Sequence, residues 1–342
     1  MKYLFVHIAK TAGSSVNKFF EERLGRSRCL FHLESQPLWD SDESRPELVA
    51  GKNYLAGHRT LSEFGQKLNL TEYFKFTFFR QPESHIVSHL AWIRRLAMPG
   101  EEKRLSEHPE YIRVLALKLR TLDFSDSSDV AGFVRDLTQQ EWNLLDNTQV
   151  RYLRAGGGAV DAEDLTSAKK ALEDLDFFGF VESFDRDLPE LALAAGLETP
   201  EMVPAENSRN DADSSLSENN EGLIDALMPL IGFDKLLYQE AKSVRERRFG
   251  VVHGRIDVCD RCRVSGWGRR ENSADPVFLD IFVNGQHYTT IKANRPRADL
   301  MDNFGLDCAF SCDLSSFPEV PSVVEVRPVG SVSNIRNSPF YL

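Results

Sequence analysis

Lys10-Thr11-Ala12-Gly13-Ser14-Ser15 follows the apolar run Tyr3 to Ile8 and leads into a helix-like segment from about Ser14 to Leu24. Backbone amides at a helix start, joined by the Ser14 and Ser15 hydroxyls, are suited to surround phosphate oxygens. Gly13 allows close backbone approach, and Lys10 supplies a flexible cation able to follow charge onto a departing oxygen. The Walker A order G-x-x-x-x-G-K-[ST] is absent, because Lys10 precedes Gly13. Ordinary magnesium-dependent nucleotide hydrolysis is not the expected chemistry.

A second anion site is read in Arg80-Gln81-Pro82-Glu83-Ser84-His85-Ile86-Val87-Ser88, which follows the aromatic run Tyr73 to Phe79. An arginine at a strand end offers a planar fork of donors, and Ser88 adds a hydroxyl two turns into the next helix. His58, at the end of Tyr54-Leu55-Ala56-Gly57-His58, is the preferred general base. A histidine whose ordinary pKa is about 6.5 offers a neutral imidazole near neutral pH. Glu22, Glu34 and Glu63 are the rival bases. His85 and His89 stand four apart on one helical face, a weak metal signal.

Here the residues resemble a known family. His7 to Ser15 looks like the 5′-phosphosulfate loop of carbohydrate sulfotransferases that use 3′-phosphoadenosine 5′-phosphosulfate (PAPS), and Arg80 to Ser88 resembles their 3′-phosphate site. The resemblance implies cofactor binding by Lys10, Thr11, Ala12, Gly13, Ser14 and Ser15, with Arg80 and Ser88 on the second phosphate. It further implies that Lys10 stabilises the transition state. Gly57-His58 is similar to the base-bearing region of uronyl 2-O-sulfotransferases, with Arg59 replacing a less charged neighbour. Asp146 to Leu153, Phe178 to Asp185 and Asp234 to Tyr238 resemble later family segments, and Ser208 and Arg209 are expected in a loop closing over the cofactor. The implied fold is α/β, P-loop-like, with a central parallel sheet. The implied reaction is PAPS-dependent sulfation of a carbohydrate or glycolipid hydroxyl, giving adenosine 3′,5′-bisphosphate (PAP) without a catalytic metal. A nucleotide kinase and a non-catalytic glycan-binding protein are the alternatives.

These residues need a scaffold, and the chain has material for one. Its 342 residues suggest two domains, and 42% hydrophobic content with 23 Phe supplies a large core. Short apolar runs alternate with amphipathic segments through the first part, as an open, mainly parallel sheet requires. Helices are expected at Glu110 to Leu122, Val130 to Thr138 and Ala162 to Leu175, the last capped by Asp161. A strand is expected at Phe177 to Val181, and a polar loop at Ala205 to Asn220. A helical segment from Glu221 to Arg248 is expected to break near Pro229 and Gly232, burying Phe233, Leu236, Leu237 and Ala241. The catalytic domain is read as 1–248.

Residues 249–342 follow another grammar, with short β-rich runs and a hairpin signal at Asn284-Gly285. They read as a β-sandwich-like module, similar to those of bacterial polysaccharide-biosynthesis enzymes at Val264 to Trp267 and Arg295 to Leu300. Its arginines suit an anionic glycan or lipid head group, and Trp267 suits either a sugar face or the core. Cys259, Cys262, Cys308 and Cys312 leave zinc, reduced thiols and disulfides open. A net charge of -11 argues against a nucleic-acid partner. With neither a secretion-type start nor a bilayer-length apolar run, the expected location is cytoplasmic. Homo-oligomerisation stays open.

Overall fold

The computed structural model describes residues 1–200, 216–271, 276–300, 307–317, 320–329, 331 and 333–342. The chain divides into two units, Met1–Asp187 with Glu201–Ala241, and Leu188–Pro200 with Lys242–Leu342.

Among its described residues the first unit is built on five strands: β1 (Lys2–Val6), β2 (Cys29–Leu30), β3 (Tyr54–Gly57), β4 (Tyr73–Phe79) and β5 (Phe177–Phe180). Their order is β2-β3-β1-β4-β5, and every pairing is parallel. Parallel strands covered on both faces are apolar throughout rather than alternating, which is why Leu4, Phe5, Val6, Phe76, Phe78 and Phe79 are all buried. Phe5 stacks on Phe76 at 5.0 Å, and Phe20 of helix Gly13–Leu24 stacks on Tyr54 at 4.4 Å. The chain leaves β1 toward β3 on one side and later builds β4 and β5 on the other. An open α/β sheet of this kind has its crevice beyond the carboxyl end of the strand where direction reverses, here β1.

Several expected helices form close to their predicted bounds. Pro82–Leu96 starts on its proline, and Ala162–Glu173 starts at a capping box in which Asp161 accepts the Glu163 and Asp164 amides. The expected break near Pro229 does not occur: Glu221–Phe249 runs as one helix with Pro229 inside it. Asn147 explains how. Its side-chain oxygen accepts the Phe233 and Asp234 amides at 2.7 and 3.0 Å, and its own amide donates to the Leu230 carbonyl at 2.6 Å. A side chain inserted into the helical ladder satisfies the groups that the irregular turn releases. Leu223, Leu227, Leu230 and Ile231 then pack into one core with Ile86, Leu90, Ile93 and Leu115. Leu236, expected on the buried face, is 46% exposed.

Among its described residues the second unit carries seven strands: β6 (Val252–Cys259), β7 (Arg263–Arg270), β8 (Val277–Val283), β9 (Gln286–Ala293), β10 (Ala309–Asp313), β11 (Val323–Pro328) and β12 (Phe340–Tyr341). They form antiparallel sheets ordered β10-β7-β6 and β12-β11-β8-β9. Ile256 and Val264 of one sheet share a buried cluster with Leu279, Ile281, Val324 and Val326 of the other. Asn284 and Gly285 both hold positive φ, at 50° and 80°, as a tight two-residue hairpin requires.

Candidate functional site

The loop after β1 is held in an unusual backbone state. Lys10 and Ala12 adopt left-handed φ of 65° and 62°, which costs a residue with a side chain roughly 1–2 kcal/mol each. Three side chains hold it there. The Thr11 hydroxyl donates to the Ile8 carbonyl at 2.8 Å, His85 Nε2 donates to the Ala9 carbonyl at 2.7 Å, and Arg80 reaches the Lys10 carbonyl at 3.4 Å. Helix Gly13–Leu24 starts on Ala12, whose methyl group cannot cap it. The Ser15 and Val16 amides turn back to the Ala12 carbonyl at 3.1 and 3.2 Å, and the positive end of the helix dipole lies at this loop, a setting that favours an anion.

Thr11 is fully buried, so it contributes to the loop through its hydroxyl brace rather than by facing outward. Ser14 is exposed, Ser15 is buried, and Lys10 is half-buried. Gly13 has a specific steric role. A Cβ there would lie 1.7 Å from His7 Nε2, so only glycine lets the imidazole pack beneath the helix start.

That imidazole connects the loop to His58. The His7 ring stacks on Phe5 at 5.0 Å and meets the His58 ring at 4.1 Å. The register explains the meeting: Val6 of β1 pairs with Gly57 of β3, so the next residues of both strands emerge side by side. His58 Nδ1 lies 2.8 Å from the His7 carbonyl oxygen. A carbonyl only accepts, so Nδ1 carries the proton and the neutral ring keeps its lone pair on Nε2. Burial holds His58 below its usual pKa, against an opposing pull from Glu34. His7, deeper still, is pushed well below its usual value by burial, with His58 and His32 adding to the effect. Glu34 accepts the His58 backbone amide at 2.8 Å. Gly57 permits this approach, since a Cβ there would sit 2.8 Å from Leu33 Cβ and 3.0 Å from Glu34 Oε2.

Arg80 follows the last residue of β4, on the other side of β1. Gln149 clamps its backbone from both sides, accepting the Arg80 amide at 2.9 Å and donating to its carbonyl at 2.9 Å. Helix Thr148–Leu153, which carries Gln149, is fixed by the buried Asp234 carboxylate on the Gln149 and Val150 amides. Burial lowers the Arg80 pKa, while Glu182 and Glu218 pull it upward. Glu182 accepts the Gln81 amide at 2.7 Å and the Tyr238 hydroxyl at 2.9 Å. The Ser84 hydroxyl donates to the Glu218 carboxylate. Ser88 is half-buried one turn further along helix Pro82–Leu96.

The parallel strands thus bring the Lys10 loop, His58 and Arg80 to one sheet edge. Among the rival bases, Glu63 is committed to the capping box at Thr60 and to Arg59. Glu22 is exposed late in helix Gly13–Leu24, more than two turns from its start. His85 and His89 are buried and pushed by that burial to about 4 and about 3, so both are neutral at neutral pH. Ser208 and Arg209 lie outside the described residues. The sequence reading did not give Gln149 and Asn147 these bracing roles, nor Thr77, whose buried hydroxyl donates to the Val6 carbonyl at 2.7 Å. Their partners are 69 to 87 residues away in the chain, beyond any local spacing signal.

In the second unit, Cys259 and Cys312 flank Val264 on opposite neighbouring strands, so they stand two strand spacings apart. All five cysteines are free thiols, and among the described residues they take no part in a metal-type cluster. Trp267 packs on Leu300, Cys308 and Ala309, and also lines a cavity of about 400 Å³ with His253, Arg255 and Arg336. Arg297 is an ion-pair hub for Asp257 and Asp299.

No family model matches the chain, and no curated protein matches it. Among solved structures, the crystal structure of mouse sulfotransferase SULT7A1 complexed with PAP matches at 10% identity, covering 70% of this chain and 88% of that one, with a TM-score of 0.25. Among the described residues, no helix is long and apolar enough to cross a membrane.

Proposed function

We propose that this chain transfers a sulfuryl group from PAPS to a hydroxyl of a carbohydrate or glycolipid acceptor. The observation that carries the reading is the joining of its two anion motifs. Arg80 and His85, from one motif, hydrogen-bond the Lys10 and Ala9 carbonyls of the other. The start of helix Gly13–Leu24, with the positive end of its dipole at the Lys10 loop, suits the sulfated phosphate end of the donor. The fit at the 3′-phosphate end rests on Arg80 and Ser88, with the Glu182 and Glu218 charges acting on the same guanidinium.

When bound, the donor supplies a sulfur centre whose bond to the phosphate oxygen breaks. His58 Nε2 takes the acceptor hydroxyl proton as the new sulfur–oxygen bond forms. Lys10 and the first-turn amides hold the charge that develops on the departing phosphate oxygen. His7, through its carbonyl, keeps His58 in the tautomer this role needs. The C-terminal cavity beside Trp267, with Arg255 and Arg336, is the proposed contact for an anionic glycan.

Calorimetry with PAP, beside magnesium-ATP, tests the donor site. Preferential binding of PAP supports the reading, and preferential magnesium-dependent ATP binding favours a nucleotide kinase. Failure to bind PAP at all overturns the proposal. Labelled PAPS with a glycan panel then separates an enzyme from a glycan-binding protein that transfers nothing.

A further inference from the structure

We infer that His32, Glu34 and His58 form a binding site for a zinc-type divalent cation. One ligand atom from each of the three lies within 4.8 Å of the others. His32 Nδ1 and Glu34 Oε1 stand 3.3 Å apart. Two ligands each about 2.0–2.1 Å from a tetrahedral zinc ion are separated by about that distance. Two imidazoles and one carboxylate are a donor set of intermediate softness, suited to zinc, cobalt or nickel rather than magnesium or calcium.

The surrounding hydrogen bonds favour metal binding over a simple ion pair. A metal-bound histidine normally donates its other ring N–H to a backbone carbonyl or carboxylate, fixing the tautomer. His58 already does this, with Nδ1 donating to the His7 carbonyl. Glu34 is anchored similarly: one carboxylate oxygen accepts the His58 amide, and the other faces His32. His32 holds a left-handed φ of 54° on the residue before the short turn Leu33–Ser35, which aims its exposed ring back toward Glu34. Three protein ligands leave the fourth tetrahedral position open to water or another small ligand.

A cation at this site takes the Nε2 lone pair of His58. Under the proposed function it therefore inhibits transfer by occupying the base. This consequence rests on that reading, whereas the binding site itself does not.

The test is binding of cobalt and zinc by the chelator-treated full chain, with Cys262→Ser as the common background because its exposed thiol competes for metal. The expected result is a tetrahedral cobalt absorption spectrum that zinc displaces. His32→Asn suits the left-handed backbone and leaves the fold unchanged by circular dichroism. It should weaken zinc binding by more than the roughly 10- to 100-fold that loss of an outer hydrogen-bond partner costs. Glu34→Gln, which keeps an acceptor for the His58 amide, should do the same. Unchanged zinc affinity in folded His32→Asn overturns the site. These measurements use no PAPS and no turnover, so their failure is separate from failure of the sulfotransferase reading.

Discussion

His58 Nδ1 donates to the His7 carbonyl across 2.8 Å, so a backbone group on β1's exit selects the tautomer of a side chain on β3's exit. Position and protonation of the proposed base are therefore properties of the parallel register.

Removing that imidazole separates chemistry from donor binding. His58→Ala should bind PAP with near wild-type affinity, because the loop and Arg80 keep their own braces. Turnover at saturating acceptor should fall by roughly 10²- to 10⁴-fold. Near-normal turnover in the folded variant would reject His58 as the base.

Gly13→Ala places a methyl group where the His7 ring lies, at 1.7 Å from Nε2. Overpacking of this kind costs about 1–3 kcal/mol, because either the helix start or the imidazole must move. Urea unfolding should show the loss, and PAP affinity should fall with it. A variant as stable as wild type would mean that His7 has room to yield.

Glu218 should oppose the second phosphate. Its charge acts on Arg80, and its carboxylate sits on Ser84 one turn before Ser88. Glu218→Gln should tighten PAP binding about fivefold at low salt, equivalent to roughly 1 kcal/mol. The gain should shrink as salt rises. Weaker or unchanged binding at low salt would place the 3′-phosphate away from this carboxylate.

His85 sets a pH dependence of stability. Burial depresses its folded pKa from the ordinary histidine value of 6.5 to about 4. Between those values the unfolded chain binds more protons, so stability falls as pH falls, by at most about 1.4 kcal/mol per pH unit. His85→Gln removes the titration while keeping a donor for the Ala9 carbonyl. The unfolding free energy of wild type minus that of the variant should therefore decline from pH 6.5 toward pH 4. Asp234, whose burial raises its carboxyl to about 7, acts in the opposite direction but is common to both proteins and cancels. A flat difference would show that His85 is not held neutral by burial.

The sequence by itself determined the local elements and their order. The Tyr73–Phe79 strand, the proline start of Pro82–Leu96, the Asp161 cap and the Asn284-Gly285 hairpin are written in side-chain period and turn chemistry. The Lys10 loop and Arg80 were read as anion motifs because each motif lies within a few residues. Only the tertiary structure decided how those groups are held. His58 meets its carbonyl partner 51 residues away, Gln149 clamps Arg80 across 69, and Asn147 carries the Glu221–Phe249 helix past Pro229 from 87 residues before Asp234. Local propensity reads neighbours along the chain, and here it predicted a helix break. The buried backbone groups instead found their partners across the fold, because leaving them unpaired in the core costs more than bringing distant segments together.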